Sequence, residues 1–412
     1  MKVVSLHHLR APCKTEIRKM DETPFGQAEV FYLNPKVIIR KGVTGGTIFT
    51  PEMAFLYADS ESLELLAGKV IKAKDLPNGA ITILCDTKVI LPQKPEDFQP
   101  TIFHVEHDAL PTQVLLDVTA ACNCDCFTCY HKTDLDSYVP SLAEVLQRIE
   151  KLKDLGVYQF EITGGEPFIR GDLNIILQKL LDLKLHFYVV TNGEFLAETN
   201  PEIISLLRHS LGLCISLDGY GQVHDQNRQR PGLFAKILKG LERIRKDNIR
   251  ILFISTMNEL NVDCFPQMVR LAEEYGTTVH LRPTIMAGGA QLNGVKNVNL
   301  AQRFPHYLQD PHVRNGLLAT RTKIAEARYY GCGIRKRISV DARGALFPCV
   351  MDRSRAWGDI MAYDQQSILQ ELDRETTDFL NLNKMCRNCS YNKEEILCGG
   401  FCRFSQVFRK GG

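Results

Sequence analysis

Ten of the chain's fourteen cysteines fall into two groups: Cys122, Cys124, Cys126 and Cys129, then Cys332, Cys349, Cys386, Cys389, Cys398 and Cys402. Clustered thiols without a disulfide-forming context point to metal or catalysis. In the first group Cys122, Cys126 and Cys129 have the spacing C-x3-C-x2-C. A loop so spaced can wrap three thiolates around one face of a cubane iron–sulfur cluster, leaving one iron free for a substrate or cofactor. Cys124 is out of phase with this set and reads as a bystander. Zinc is the alternative, with His131 as a fourth ligand. In the second group, Cys386 and Cys389 form a C-x2-C pair, and Cys398-Gly-Gly-Phe-Cys402 places glycines where backbone must fold tightly about a metal. The last four cysteines taken alone also fit a zinc ribbon. Cys13, Cys85, Cys214 and Cys264 are scattered, and packing is the default role of such cysteines.

These ligands need elements to position them. From residue 114 onward strand and helix patterns alternate. Strands are predicted over 114–118, 159–163, 186–191, 211–217, 249–257 and 278–282, and helices over 141–155, 172–183, 201–209, 233–246 and 265–275. The clearest helical stripe is Leu142, Val145, Leu146, Ile149, Leu152 and Leu155. Such alternation implies a parallel sheet with right-handed crossovers, whose chemistry gathers at the C-terminal strand ends. The first cysteine group follows the first of these strands.

Further motifs follow the later strands in order. Thr163-Gly-Gly-Glu-Pro167 ends the second, Thr191-Asn-Gly193 the third and Ser216-Leu-Asp-Gly219 the fourth; Asn258 and Arg282 end the fifth and sixth. His224, Asp225, Arg228 and Gly232-Leu-Phe234 lead into the next helix. Together with the C-x3-C-x2-C loop, this series resembles the radical S-adenosylmethionine (SAM) superfamily. The resemblance implies a partial (β/α)6 barrel and a 4Fe–4S cluster on Cys122, Cys126 and Cys129 that chelates SAM. SAM would then be cleaved to a 5′-deoxyadenosyl radical that abstracts a substrate hydrogen. It also implies a cofactor-binding set of Gly164, Gly165, Glu166, Thr191, Asn192, Ser216, Asp218, Arg228 and Asn258. Within it the glycines admit backbone to the cofactor, Glu166 accepts from the SAM ammonium and Ser216 serves the SAM carboxylate. One departure is Thr128, which stands before the third cysteine where the family carries an aromatic; Phe127 is one place earlier. Cys214 lies in phase with Ser216, on the inner face of its strand. Beside inert packing, its alternative role is catalytic, as a hydrogen-atom donor.

The tail, from residue 331, reads as loop-rich, with a turn at Asp341-Ala-Arg-Gly344 between short strands. Its cysteine pattern and Gly358-Asp-Ile360 resemble the SPASM domain, which carries auxiliary iron–sulfur clusters. The resemblance assigns Cys332, Cys349 and Cys402 to one auxiliary cluster and Cys386, Cys389 and Cys398 to the other. The gap before Cys398 is longer than in that family, and no cysteine follows Cys402. One or two auxiliary clusters are therefore expected.

Residues 28–98 read as a small α+β domain, with strands within 28–39 and 81–91 and a short helix over 61–67. Its pattern loosely resembles the RiPP recognition element, which grips leader peptides by strand addition; a capping module is the plainer reading. The expected organisation is 1–98 as N-terminal domain, 99–112 as linker, 113–330 as barrel and 331–412 as cysteine-rich iron–sulfur domain. A net charge of +2 does not suggest a nucleic-acid partner. No apolar stretch is long enough to span a bilayer, and a cytoplasmic protein is expected. The whole favours a radical SAM maturase of a peptide or protein, supplied with electrons by a donor such as flavodoxin or ferredoxin. The alternatives are a radical SAM enzyme acting on a small molecule, such as a haem-pathway decarboxylase, and a non-catalytic metal-binding scaffold.

Overall fold

Strand-forming and helix-forming segments alternate through most of the structure, a computed structural model. It describes residues 110–132, 136–284, 337–349 and 355–382, Arg353, and parts of 30–105 and 288–315. The chain divides into two compact units, Met1–Leu110 and Pro111–Gly412.

In the first unit, β1 (Val30–Leu33) pairs antiparallel with β5 (Val70–Lys72) and β6 (Ile90–Leu91). A second sheet runs in the order β4 (Phe55–Asp59), β3 (Gly45–Phe49), β2 (Ile38–Lys41), β7 (Thr101–His104). Helix α1 (Ser60–Ala67) buries Leu63 and Leu66 in a core with Phe31, Leu33, Ile39, Ile71 and Val89. The expected strand over 28–39 breaks into two at Asn34–Pro35, because proline has no N–H to continue a ladder. The strand expected over 81–91 is a correction: among the described residues of that stretch only Ile90–Leu91 is extended. Leu84 and Cys85 are helical, and Val89 N–H donates to Leu84 O at 2.8 Å. An apolar run this short does not distinguish a strand from a buried helical turn. Within the stretch 99–112, read as linker, Thr101–His104 is a strand parallel to β2.

The second unit is a partial α/β barrel. Strands β8 (Gln113–Asp117), β9 (Gln159–Thr163), β10 (His186–Thr191), β11 (Gly212–Ser216), β12 (Ile251–Met257) and β13 (Val279–Pro283) are parallel and adjacent in chain order. They alternate with α2 (Leu142–Asp154), α3 (Leu173–Asp182), α4 (Pro201–Leu207), α5 (Gln222–Arg228), α6 (Leu233–Ile244) and α7 (Phe265–Glu274). Ser141 starts α2 with a capping box: its Oγ accepts from Glu144 N–H, and the Glu144 carboxylate accepts from Ser141 N–H at 2.8 Å. Two edges extend the expected six strands. β14 (Val313–Asn315) joins β13, and β15 (Arg337–Val340) lies parallel against β8. From β15 a hairpin through Asp341–Gly344 leads to β16 (Ala345–Phe347) and then β17 (Gly358–Asp359). The described part of 331–412 is thus continuous with the barrel sheet. The loop-rich reading of the tail is corrected at α9 (Gln365–Leu382), an 18-residue helix that buries Ile368, Leu372 and Glu375. Among the described residues no helix is long and apolar enough to cross a membrane.

Side-chain alternation in these strands follows the pleat. Phe160, Ile162, Phe187, Val189, Leu213, Ile215 and Phe253 are fully buried on the helix side. The opposite faces line the lumen. There Cys214 packs with Leu252 and Ile254, and with Tyr188 and Val190.

Candidate active site

The loop after β8 carries the first cysteine group, and the GGEP turn after β9 is pressed against it. Gly165 N–H donates to Thr119 O at 2.8 Å and Glu166 N–H to Ala121 O at 2.9 Å. A Cβ on Gly164 would lie 2.2 Å from Thr119 O, and one on Gly165 would lie 1.9 Å from Ala121 O. Within the chain, these glycines are needed for the crossing of two backbones. From the other side, Phe127 N–H donates to Asn227 O at 2.9 Å, Asn293 Nδ2 to Phe127 O at 3.0 Å and Gly289 N–H to Cys129 O at 2.7 Å. The latter two residues come from α8 (Gly288–Leu292) and the turn behind it.

The Glu166 side chain is buried and accepts from Thr191 Oγ1 and Asn192 N–H, each at 2.7 Å, and from Phe168 N–H at 3.1 Å. Burial outweighs these bonds and lifts its carboxyl to about 7. Asn192 also donates to Asn123 Oδ1 at 2.7 Å and to Cys124 Sγ at 3.4 Å.

Asp218, after β11, accepts from Thr256 N–H at 2.7 Å and pairs with Arg228 Nη2 at 2.9 Å. Arg228 Nη1 lies 3.4 Å from Cys126 Sγ, and its Nε is buried without a partner. Cys124 shares hydrogen bonds with both Cys122 and Cys126. Its thiol lowers Cys126 first and the Arg228 charge next, bringing that thiol down to about 6. Cys122 is also lowered, chiefly by Cys124, whereas burial pushes Cys129 up to about 12.

Gly164, Gly165, Glu166, Thr191, Asn192, Asp218 and Arg228 are therefore assembled around the cysteine loop. Ser216 ends β11 half-buried in the lumen, and Cys214 lies one inward position before it. Asn258 is fully buried, and its side chain turns its own loop, accepting from Leu260 N–H at 2.8 Å. Burial pushes the Cys214 thiol up to about 12, and Glu161 adds to the effect. Cys349 follows β16, half-buried; Cys332, Cys386, Cys389, Cys398 and Cys402 lie outside the described residues.

Sequence reasoning missed Glu194, Asn123, Arg230 and Lys236. Glu194 is buried and takes a bidentate pair from Arg230 at 2.8 Å and a contact from Lys236 at 2.5 Å. It also accepts from Asn123, between the first two cysteines. Hydrogen bonds from Arg230, then Lys236 and Asn123, hold its carboxyl down at about 2. Its place directly after Thr191-Asn-Gly193 was the available signal.

Three soft thiols, with a guanidinium edge against one of them, fit a cluster bound through Cys122, Cys126 and Cys129. Among the described residues no three His, Cys, Asp or Glu side chains converge where a single metal ion could sit. His131 is buried beside Asp117 at 3.7 Å, with Nε2 unpartnered, and does not complete a zinc set there.

The sequence profile of the radical SAM superfamily matches residues 116–272. The AdoMet-dependent heme synthase of Methanosarcina barkeri is 27% identical over 328 residues, covering 71% of this chain and 91% of that protein. The antilisterial bacteriocin subtilosin biosynthesis protein AlbA of Bacillus subtilis is 27% identical over 169 residues, 40% of this chain and 38% of AlbA. Among solved structures, Streptococcus suis SuiB bound to its precursor peptide SuiA superposes with a TM-score of 0.68 at 14% identity, over 90% of this chain and 95% of SuiB. The barrel, its cysteine loop and the profile match lead to one conclusion: residues 116–272 are those of a radical SAM superfamily enzyme.

Proposed function

We propose that this enzyme is a maturase that abstracts a hydrogen atom from a residue of a peptide or protein. Cys122, Cys126 and Cys129 would hold a 4Fe–4S cluster that, when reduced, would supply a 5′-deoxyadenosyl radical from SAM. The chain's own residues position and shield. Glu166, fixed by Thr191 and Asn192, offers a carboxylate to the SAM ammonium, and Ser216 serves the SAM carboxylate. Asp218 orients Arg228 on Cys126. Gly164 and Gly165 keep the cluster loop against the second strand end. Asn258 holds the turn after β12. Cys214 is a buried thiol facing the lumen, suited to return a hydrogen atom. Cys332, Cys349, Cys386, Cys389, Cys398 and Cys402 would carry one or two auxiliary clusters, in a domain ending the chain.

The observation that carries the peptide reading is the extent of the likeness to SuiB, a protein solved with its precursor peptide. It takes in 90% of this chain, beyond the barrel alone. Residues 1–98 would then bind a leader peptide by strand addition, an open sheet edge being a natural place for one. A second reading, a tetrapyrrole or other small-molecule substrate, is favoured by the 91% coverage of the heme synthase.

The test is anaerobic reconstitution, reduction and incubation with SAM and a peptide encoded beside this gene. The expected result is 5′-deoxyadenosine together with a mass change on the peptide. Modification of a porphyrin but of no such peptide would select the second reading.

A further inference from the structure

In a closed (β/α)8 barrel the interior is filled by layers of side chains. Here several inward side chains among the described residues are only partly enclosed. Along β10 the burial alternates: Phe187 and Val189 are buried against helices, while the inward Tyr188 and Val190 stay partly exposed. The inward Glu161 of β9, Arg282 of β13 and Arg337 of β15 are likewise partly exposed.

The charges in this space are unequal. Glu161 faces Arg282 Nη2 at 3.6 Å and Arg337 Nη1 at 3.4 Å. Their guanidinium side chains are 37% and 36% exposed, whereas the Glu161 side chain is 12% exposed. Both contacts are longer than a good charge-assisted hydrogen bond. Burial alone would raise the Glu161 carboxyl, but Arg337 and then Arg282 hold it below the usual carboxylate range, so it stays an anion. Two cations thus face one anion. Toward the strand ends a third guanidinium pairs with a different carboxylate: Arg353 Nη2 lies 3.0 Å from Asp117 Oδ2. The Arg353 side chain is 7% exposed, and its Nε and Nη1 have no partner among the described residues. Buried donors left this way cost stability unless something accepts from them.

We propose that the lumen is a subsite for a carboxylate of the substrate. Arg282 and Arg337 grip the carboxylate, and the free edge of Arg353 is a further donor. A single carboxylate balances the excess charge, and its planar pair of oxygens matches the guanidinium fork. Tyr188, Val190, Leu252 and Ile254 give the carbon chain behind it an apolar wall beside Cys214. This rests on the reading that hydrogen abstraction takes place in this barrel. The carboxylate is either an acidic side chain of a peptide or part of a free acid.

The test is binding to the reconstituted, SAM-loaded enzyme under anaerobic conditions, read as a shift of the thermal midpoint. The probes are glutarate, its neutral diamide glutaramide, and a capped tripeptide with a central glutamate. Glutarate or the tripeptide is expected to raise the midpoint where glutaramide does not. The tighter of the two identifies the source of the carboxylate. Arg282→Gln and Arg337→Gln should each weaken the effect about tenfold or more. Glu161→Gln, which removes the resident anion, should strengthen it, a gain that misfolding cannot imitate. Equal shifts with acid and amide, no shift with either acid, or no gain in Glu161→Gln would overturn the proposal. Formation of 5′-deoxyadenosine, measured on the same samples, reports separately on the radical SAM chemistry.

Discussion

Arg228 bridges Asp218 and Cys126, placing one guanidinium nitrogen 2.9 Å from the carboxylate and another 3.4 Å from the sulfur. Asp218 belongs to the turn after β11 and Cys126 to the loop after β8, so one side chain ties together two distant strand ends. A donor so placed favours the thiolate. Replacing Arg228 by Met removes a charge-assisted contact of about 1.5–3 kcal/mol, or roughly ten- to hundredfold in an equilibrium or rate. Iron retention and 5′-deoxyadenosine formation should fall together by that order, with Arg228→Lys intermediate. Iron analysis and chromatography of the nucleoside check it.

Gly165→Ala is expected to be far more damaging than Gly171→Ala. The first Cβ would meet Ala121 O at 1.9 Å, whereas the second meets nothing within 4 Å. Because Ala121 O is backbone, relief requires shifting the cysteine loop itself. The cost is about 3 kcal/mol or more, against about 0.5 kcal/mol or less for Gly171→Ala. Urea midpoints of the two variants measure it.

Glu194 should mark the acid limb of stability. Its carboxyl is held at about 2, below the ordinary value of about 4.3. The contribution is therefore fully present above the unfolded value and is lost as pH falls through the folded one. Glu194→Gln should flatten this limb between about pH 4 and pH 2. At neutral pH it should cost only about 1 kcal/mol, because Arg230 and Lys236 are 40% and 52% exposed and return to water. Denaturant titrations at stepped pH check both parts.

Cys124 touches two of the three proposed cluster ligands, Cys122 and Cys126, without sharing their spacing. Cys124→Ala should keep SAM cleavage at the same order as the parent. The Cys122→Ala, Cys126→Ala, Cys129→Ala triple variant should abolish it. The assay is 5′-deoxyadenosine yield after anaerobic reconstitution and reduction.

The barrel strands were legible because each is a short apolar run separated by an amphipathic helix. All six expected strands lie within two residues of their observed bounds. The edge strand Val313–Asn315 was not, since three residues with Arg314 at the centre carry no periodic signal. Helix Gln365–Leu382 was hidden because the buried stripe of its described side chains is interrupted: Ile368 and Leu372 are followed by the buried acid Glu375, which meets Trp357 Nε1 at 3.3 Å. The motif residues around the cysteine loop could be named from their order alone. Their partners could not. Glu194, Arg230 and Lys236 find one another only after β10 and α6 are folded side by side, and no spacing in the chain encodes that meeting.

The alternating burial along the barrel strands has a consequence for how such an enzyme diversifies. Phe187, Val189, Leu213 and Phe253 are wholly enclosed by helices, and changes there fall on folding. Tyr188 and Val190 alternate with the first two along β10 and are partly exposed on the lumen side, so changes there fall mainly on what the lumen admits. Each strand thus carries two interleaved records, one answerable to the fold and one to the substrate. A lineage can rewrite the second while copying the first.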